Sequence, residues 1–426
     1  MKQRWFYLLF ILPVFSSCLE NPDMTTGIVN GKEKPTVTTG QSSPVVRDND
    51  GQLVFQGQIV SKGKAEIIQK GFYWSTTSNN PGLGDSIALV SDTAAGAFTF
   101  DLKNAAGDKT YYWRAFASNS FGYDYGDVQT FQTPQVWIAK QELPSDSRGR
   151  GAVFILNNRI YMTCGNKTWG TVLVTDMWEY NIASDQWVQA DSMSFIGVGR
   201  IYPAVFTIDN LAFVGTGLQA AANARKDFYQ FSADSKKWTE IETPDDFEAR
   251  YEAIAFGLNG KGYVIGGLSS DKREMNDVWQ YNPDEGSWEK KGDFPKNIYG
   301  GISILGDNRV FAGFGDALES VGMLWEYNQA ADRWDEFAKL PDEVTTKIYS
   351  GVIVQNTIYI VDGNNSIWAL NMSDKTWTKK DDLPPTFLEE TEGGYQTLLT
   401  TGNTDSIFVG LGFCNLLYEY HPLWDN

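Results

Sequence analysis

The feature that most constrains this chain is a pair of aromatic residues nine positions apart that recurs through its C-terminal part. The pairs are Trp178/Trp187, Tyr229/Trp238, Trp279/Trp288, Trp325/Trp334 and Trp368/Trp377, and the second members follow one another at 51, 50, 46 and 43 residues. A spacing of that size marks an array of similar units, none able to bury its apolar face alone, and argues for a radial or solenoid fold rather than a single sandwich. The fullest unit runs from Arg250 to Pro295. It holds the apolar runs Ala253-Ile254-Ala255-Phe256, Gly262-Tyr263-Val264-Ile265-Gly266-Gly267 and Asn276-Asp277-Val278-Trp279-Gln280-Tyr281-Asn282, and Trp288 opens a fourth. Runs rich in β-branched and aromatic residues, separated by Gly, Asn, Asp and Pro, predict four short strands joined by turns.

A sixth third strand, Leu416-Leu417-Tyr418-Glu419-Tyr420, lies too near Asn426 to be followed by its own fourth strand. Val136-Trp137-Ile138-Ala139-Lys140 supplies that strand from the other end, because it precedes Leu143-Pro144 as Trp334 precedes Leu340-Pro341 and Trp377 precedes Leu383-Pro384. The reading predicts a closed ring of six blades over residues 135–426, with no sheet edge left open. Gly266-Gly267, the run from Asn276 to Asn282 and the later Trp288 together resemble the kelch repeat. In the other blades the glycine pair is replaced by Cys164-Gly165, Thr216-Gly217, Phe314-Gly315, Asp362-Gly363 and Leu411-Gly412. The resemblance implies a six-bladed kelch-type β-propeller in an all-β chain, and says little about function.

Residues 1–17 carry Lys2 and Arg4, an apolar core from Trp5 to Phe15, and then Ser16-Ser17 before Cys18, which reads as a cleaved export signal. Phe15-Ser16-Ser17-Cys18 resembles a bacterial lipobox, implying that Cys18 is lipidated and that the protein is an exported lipoprotein of the outer membrane or cell surface. Residues 18–34 read as a tether of the kind found in surface lipoproteins of the Bacteroidota. Residues 35–134 turn to Thr, Ser, Gly and Tyr with alternating strands such as Phe55-Gln56-Gly57-Gln58-Ile59-Val60, a sandwich-sized stretch. The sets Gly71 to Thr76 and Tyr112 to Gly122 resemble a fibronectin type III-like module, which implies a spacer. Only Thr133-Pro134-Gln135 separates its last strand from Trp137, so the two domains are expected to abut.

Composition removes several functions. A net charge of −18 without a Lys/Arg cluster excludes a nucleic-acid partner, which needs a basic face to displace counterions. Cys164 and Cys414 are expected as buried thiols, with a bridge between neighbouring blades as the alternative. The single histidine, His421, cannot build the two-histidine copper site of the kelch-type radical oxidases, a His-rich metal site or a Ser-His-Asp triad, so no cofactor or metal is expected.

The first strand of each blade lines the central channel of a propeller. Aligning the six first strands puts Arg150, Tyr202, Tyr251, Tyr299, Tyr349 and Tyr395 at one equivalent position around the channel mouth, with Arg200, Arg250 and Glu252 close by. Such a ring suits a glycan, whose C–H faces stack on phenol rings while Arg and Glu address its polar edges, or else a protein partner. The same tyrosines would arise from blade packing alone, and both readings stand. The loops between the glycine position and the strand-three aromatic span 13, 12, 12 and 10 residues in blades one to four but 5 and 6 in blades five and six. The longer loops are expected to wall one side of the mouth and to bring Trp169, Arg225, Lys226 and Arg273 near it. The competing class is an enzyme: the bacterial sialic acid mutarotases, also six-bladed kelch proteins, need a general acid/base and an arginine, for which Glu252 with Arg250 or Arg200 would serve.

Overall fold

The structure, a computed structural model, describes residues 33–40, 45–46, 53–103, 105–167, 172–189, 193–219, 223–306, 308–316, 322–385, 397–399 and 406–425. The signal, Cys18, Trp169 and Tyr395 lie outside them. The chain divides into two compact units, one including Phe55–Phe100 and Tyr112–Gln129, the other Thr130–Asn426 with Ser43–Val54 and Asp101–Tyr111.

The N-terminal strands form two antiparallel sheets. Leu53–Ser61 pairs with Thr36–Thr39, Val45–Val46 and Gly96–Leu102, while Gln69–Ser75 and Thr110–Asn119 centre a second sheet. Phe55 from the first sheet stacks on Trp113 of the second at 5.2 Å and meets Phe72 at 5.7 Å. The alternating sequence turns one face of each sheet inward, and these rings fill the space between them, giving a β-sandwich.

Five four-stranded sheets then follow in strict sequence order, from Ala152–Leu156 to Trp377–Asp382. The sixth contains Thr397–Leu399, Ile407–Gly410 and Leu417–Tyr420, and its outermost strand is Trp137–Ala139. Trp137 lies opposite Tyr420, and Ala139 opposite Tyr418. The expected ring closure is therefore present. Apolar clusters join every adjacent pair of blades, including Tyr180 of blade one with Phe408 and Leu417 of blade six, so the ring has six interfaces and no gap. Burial of whole aromatic and aliphatic side chains there contributes about 1.5–3 kcal/mol each.

The recurrent tryptophans have a shared geometry. The strand-four Trp stands across from the residue seven positions earlier, not nine: Trp187 faces Tyr180, Trp288 faces Tyr281 and Trp334 faces Tyr327, with ring centroids 5.0, 4.9 and 4.8 Å apart. Trp137 and Tyr420 repeat the arrangement at 4.3 Å across the closure. The indole N–H then ties to the previous blade, as Trp288 Nε1 does to the Glu242 carbonyl at 3.0 Å and Trp377 Nε1 to that of Lys339 at 2.9 Å. These rings thus bury their bodies within one blade and give their polar edges to the one before it, whereas the buried Trp334 indole nitrogen makes no such bond among the described residues.

The degenerate glycine pairs also have a physical reason. Cys164, Thr216, Phe314 and Leu411 adopt the left-handed conformation at φ 59°, 53°, 56° and 62° in place of the first glycine. The second position is less forgiving. Gly217 and Gly267, at φ 91° and 101°, each donate their N–H at 2.8 Å to the entry of the next blade, from Gly217 to Arg250 O and from Gly267 to Ile298 O. A Cβ there would sit 2.9 or 2.8 Å from the carbonyl oxygen of Ile201 or Tyr251. Backbone contact thus holds the second glycine, and in blade three the first as well, where a Cβ on Gly266 would run into the Ile298 carbonyl oxygen.

Candidate functional site at the channel mouth

The first strands of blades one to four are each entered through a left-handed residue, and these residues line part of the mouth. Arg150, Tyr202, Glu252 and Gly300 have φ of 59°, 54°, 54° and 60° and stand at equivalent places in blades one to four. Their backbones are linked in series: Tyr202 N–H donates to Arg150 O at 2.7 Å, Glu252 N–H to Tyr202 O at 3.3 Å, and Gly300 N–H to Glu252 O at 2.8 Å. The hydrogen bonds offset the cost of the sparsely populated conformation and fix where each side chain points.

A cavity of about 230 Å³ lies at this level and is lined by all six blades, among them Arg150, Tyr202, Glu252, Gly300, Lys347, Tyr349 and Thr397. The Arg150 guanidinium rests 5.2 Å from the Tyr202 ring and 5.3 Å from the Phe413 ring, a stacked placement that an arginine favours. Lys347 Nζ pairs with Asp316 Oδ2 at 2.5 Å and lies 5.9 Å from the Tyr349 ring. Burial pushes the Glu252 carboxyl above its usual range; Lys347 and Arg150 pull against that shift, and Asp316 adds to it. Acid, base and cation are thus gathered over a floor of small and apolar residues.

The expected site residues divide. Arg150, Tyr202, Glu252 and Tyr349 line the cavity. Tyr251 and Tyr299 do not share the position of Tyr202, because the register in blades three and four is one residue further on. Tyr251 bridges to Leu268, as Ile201 does to Leu218, and is buried in a cluster with Ala224 and Leu268 against which Tyr202 and Tyr299 pack. These two tyrosines follow the packing alternative. Arg200 and Arg250 are also displaced from the mouth. They are fully buried, and each grips an aspartate two-pronged, Arg200 with Asp227 at 3.0 and 2.9 Å and Arg250 with Asp277 at 2.7 and 2.8 Å. Arg148 does the same with Asp176 at 2.7 Å through both nitrogens. The three pairs fasten the entry of strand one to the start of strand three, where Trp178 and Trp279 donate to the same carboxylates.

The loop cations are likewise engaged away from the cavity. Arg225 reaches Asp227, Lys226 Nζ donates to Pro244 O at 3.2 Å, and Arg273 pairs with Glu248. The longer loops instead form ribbon extensions, such as Leu218–Gln219 with Asn223–Ala224. Cys164 and Cys414 form no disulfide and are buried in different inter-blade cores, and burial pushes the Cys164 thiol up to about 12. His421 sits at the closure, its Nδ1 2.7 Å from Gln135 O. Among the described residues no group of three His, Cys, Asp or Glu side chains is placed to hold a metal.

The alignment on tyrosines missed Gly300, Lys347, Asp316 and Phe413. A signal for the register was present in the turns between strands one and two. Asn157, Asp209 and Asn259 open those turns, and counting back seven residues from each gives Arg150, Tyr202 and Glu252; the same count along the sequence from Asp307 gives Gly300. Asn157 and Asn158 are both left-handed, at φ 49° and 55°, the two-residue turn that fixes hairpin register.

A closed ring of six four-stranded blades, locked by a glycine that reaches into the next blade and by outer tryptophans, defines a kelch-type β-propeller. Comparison with known proteins agrees. A kelch motif profile matches residues 256–295. Kelch-like protein 23 of Homo sapiens is 25% identical over 232 residues, covering 54% of this chain and 39% of that protein. An F-box/kelch-repeat protein of Arabidopsis thaliana is 23% identical over 210 residues, 48% of this chain and 56% of that protein. The chain thus spans well under two thirds of the length of these curated relatives. Among solved structures, that of YjhT matches with a TM-score of 0.52 and 14% identity over 63% of this chain and 91% of its own, a likeness of fold. The chain is a kelch-repeat protein.

Proposed function

We propose that this chain is an exported lipoprotein, anchored through Cys18 at the outer membrane or cell surface, whose propeller binds a glycan at its mouth. The observation that supports the ligand class is the make-up of the mouth: Arg150 stacked on Tyr202 and Phe413, Lys347 near Tyr349, and Glu252; all of these except Phe413 line a cavity of about 230 Å³. That volume is small for a ligand pocket and suits one sugar ring or a chain end. Two phenol faces at roughly 1 kcal/mol each leave affinity in the millimolar range unless several polar contacts form. The sandwich over residues 35–134 is read as a fibronectin type III-like spacer that holds the mouth away from the lipid. A glycan array followed by thermal-shift titration tests the reading. The expected outcome is a family of related glycans that raises the melting temperature; an empty array dismisses the glycan and leaves a protein partner.

One observation favours a second reading, an enzyme of the mutarotase type. Glu252 lines the mouth, and burial holds its carboxyl above the usual range, the direction of shift that suits a general acid/base. Its cationic neighbours are Arg150 and Lys347 rather than Arg200 and Arg250. NMR exchange spectroscopy on a bound reducing sugar decides: accelerated exchange of anomers that disappears in Glu252→Gln supports the enzyme, and binding without acceleration dismisses it.

A further inference from the structure

Blade four breaks the pattern of the mouth. Arg150, Tyr202 and Glu252 carry side chains at the left-handed position with φ of 59°, 54° and 54°, and Gly300 takes the same place at 60°. Three ordinary residues adopt this backbone next door, so backbone conformation alone does not call for a glycine. Space does. A Cβ on Gly300 would lie 2.5 Å from Lys347 Nζ, 2.8 Å from Asp316 Oδ2 and 3.0 Å from Glu252 Oε2. Charged groups from blades five, four and three therefore meet in the notch that the bare glycine leaves. Lys347 is committed to Asp316, whereas among the described residues no group donates a hydrogen bond to the Glu252 carboxyl.

The charges decide what fits the notch. A cationic group would face the Lys347 ammonium and the Arg150 guanidinium, and an anionic group would face Asp316 and Glu252. A neutral group that both donates and accepts meets neither repulsion. One hydroxyl accepts from Lys347 and donates to Asp316, and its neighbour donates to Glu252. The three polar atoms crowd around one point, which suits hydroxyls on adjacent carbons. We propose that Gly300 is the specificity-determining residue of the mouth, opening a notch in which Glu252, Lys347 and Asp316 take a vicinal diol of a sugar ring. The inference rests on the glycan reading above and names the part of the ligand that the notch reads.

The test uses the full chain in detergent, with the methyl glycosides of mannose, galactose and glucose as probes, followed by saturation-transfer NMR and calorimetry. At least one glycoside is expected to bind, and its deoxy counterpart lacking one hydroxyl of the pair to bind about tenfold or more weakly, the loss of one well-made contact to a charged group. Gly300→Ala is expected to lose about as much, because its methyl displaces the flexible end of Lys347 rather than backbone. Lys347→Met removes the donor without touching the glycine and should weaken the same glycoside; if Gly300→Ala does not fold, this variant decides. A glycoside that binds the parent chain and both variants alike overturns the inference and leaves the glycan reading standing. Failure of every glycoside to bind the parent chain overturns both.

Discussion

Arg250 and Glu252 stand two residues apart and have opposite surroundings. Arg250 precedes the left-handed residue and points into its own blade, where Asp277 takes both ends of its guanidinium; Glu252 is the left-handed residue and points into the mouth. Asp227 shows what the buried pairs do to a titration. Burial pushes its carboxyl up, and the hydrogen bonds and charge of Arg200, aided by Arg225, more than reverse this, to about 2. A folded value below the unfolded one, near 4, means stability that is fully present above that pH and lost as pH falls toward 2. Asp227→Asn, which leaves Arg200 buried without its counter-charge, should cost about 3 kcal/mol at neutral pH. Urea unfolding should show the gap from the parent chain shrinking between pH 5 and about pH 3. Glu252 has the opposite sign. Its raised value means stability that is present in acid and lost as pH rises through that value. Glu252→Gln should therefore melt with the parent chain in acid and above it at neutral pH, and equal melting temperatures throughout would place the carboxyl in ordinary solvent.

At the scale of the element, the strand Trp137–Ala139 carries the ring closure. It pairs with Leu417–Tyr420, and the stacking of Trp137 on Tyr420 repeats the outer pair of the other blades. Trp137→Ala is expected to lower stability by about 2–4 kcal/mol, as a truncated core aromatic would, and to expose blade six first to amide hydrogen exchange. If blade six exchanges no faster than blade three, the ring does not depend on this strand. The closure was legible in the sequence because Trp137 kept step with the other tryptophans and Leu143-Pro144 repeated the following signal. The register of the first strands was less so. Tyrosines drew the alignment in blades three and four, yet Tyr251 and Tyr299 pack sideways while the mouth takes the next residue.

For the whole molecule, the chain carries a surplus of acidic residues, while at the mouth Arg150 and Lys347 balance Asp316 and Glu252. The net charge of −18 disfavours polyanions, and on the proposed reading the local balance selects the small ligand. The proposed anchor is tested at this scale too. Cys18→Ala should move the protein from the detergent phase to the aqueous phase in detergent partitioning and abolish labelling by a palmitate analogue. Partitioning unchanged by the substitution would remove the lipoprotein reading. The order of strands, the number of blades and the way the ring shuts follow from recurrence along the chain, because each unit must cover its neighbour's apolar face and the spacing of Trp and Gly records that need. The identity of the mouth does not follow from recurrence. Whether a side chain at a strand entry turns inward or sideways depends on one left-handed φ, and the notch over Gly300 is formed by Glu252, Asp316 and Lys347, which lie far apart in sequence and meet only once three blades have packed.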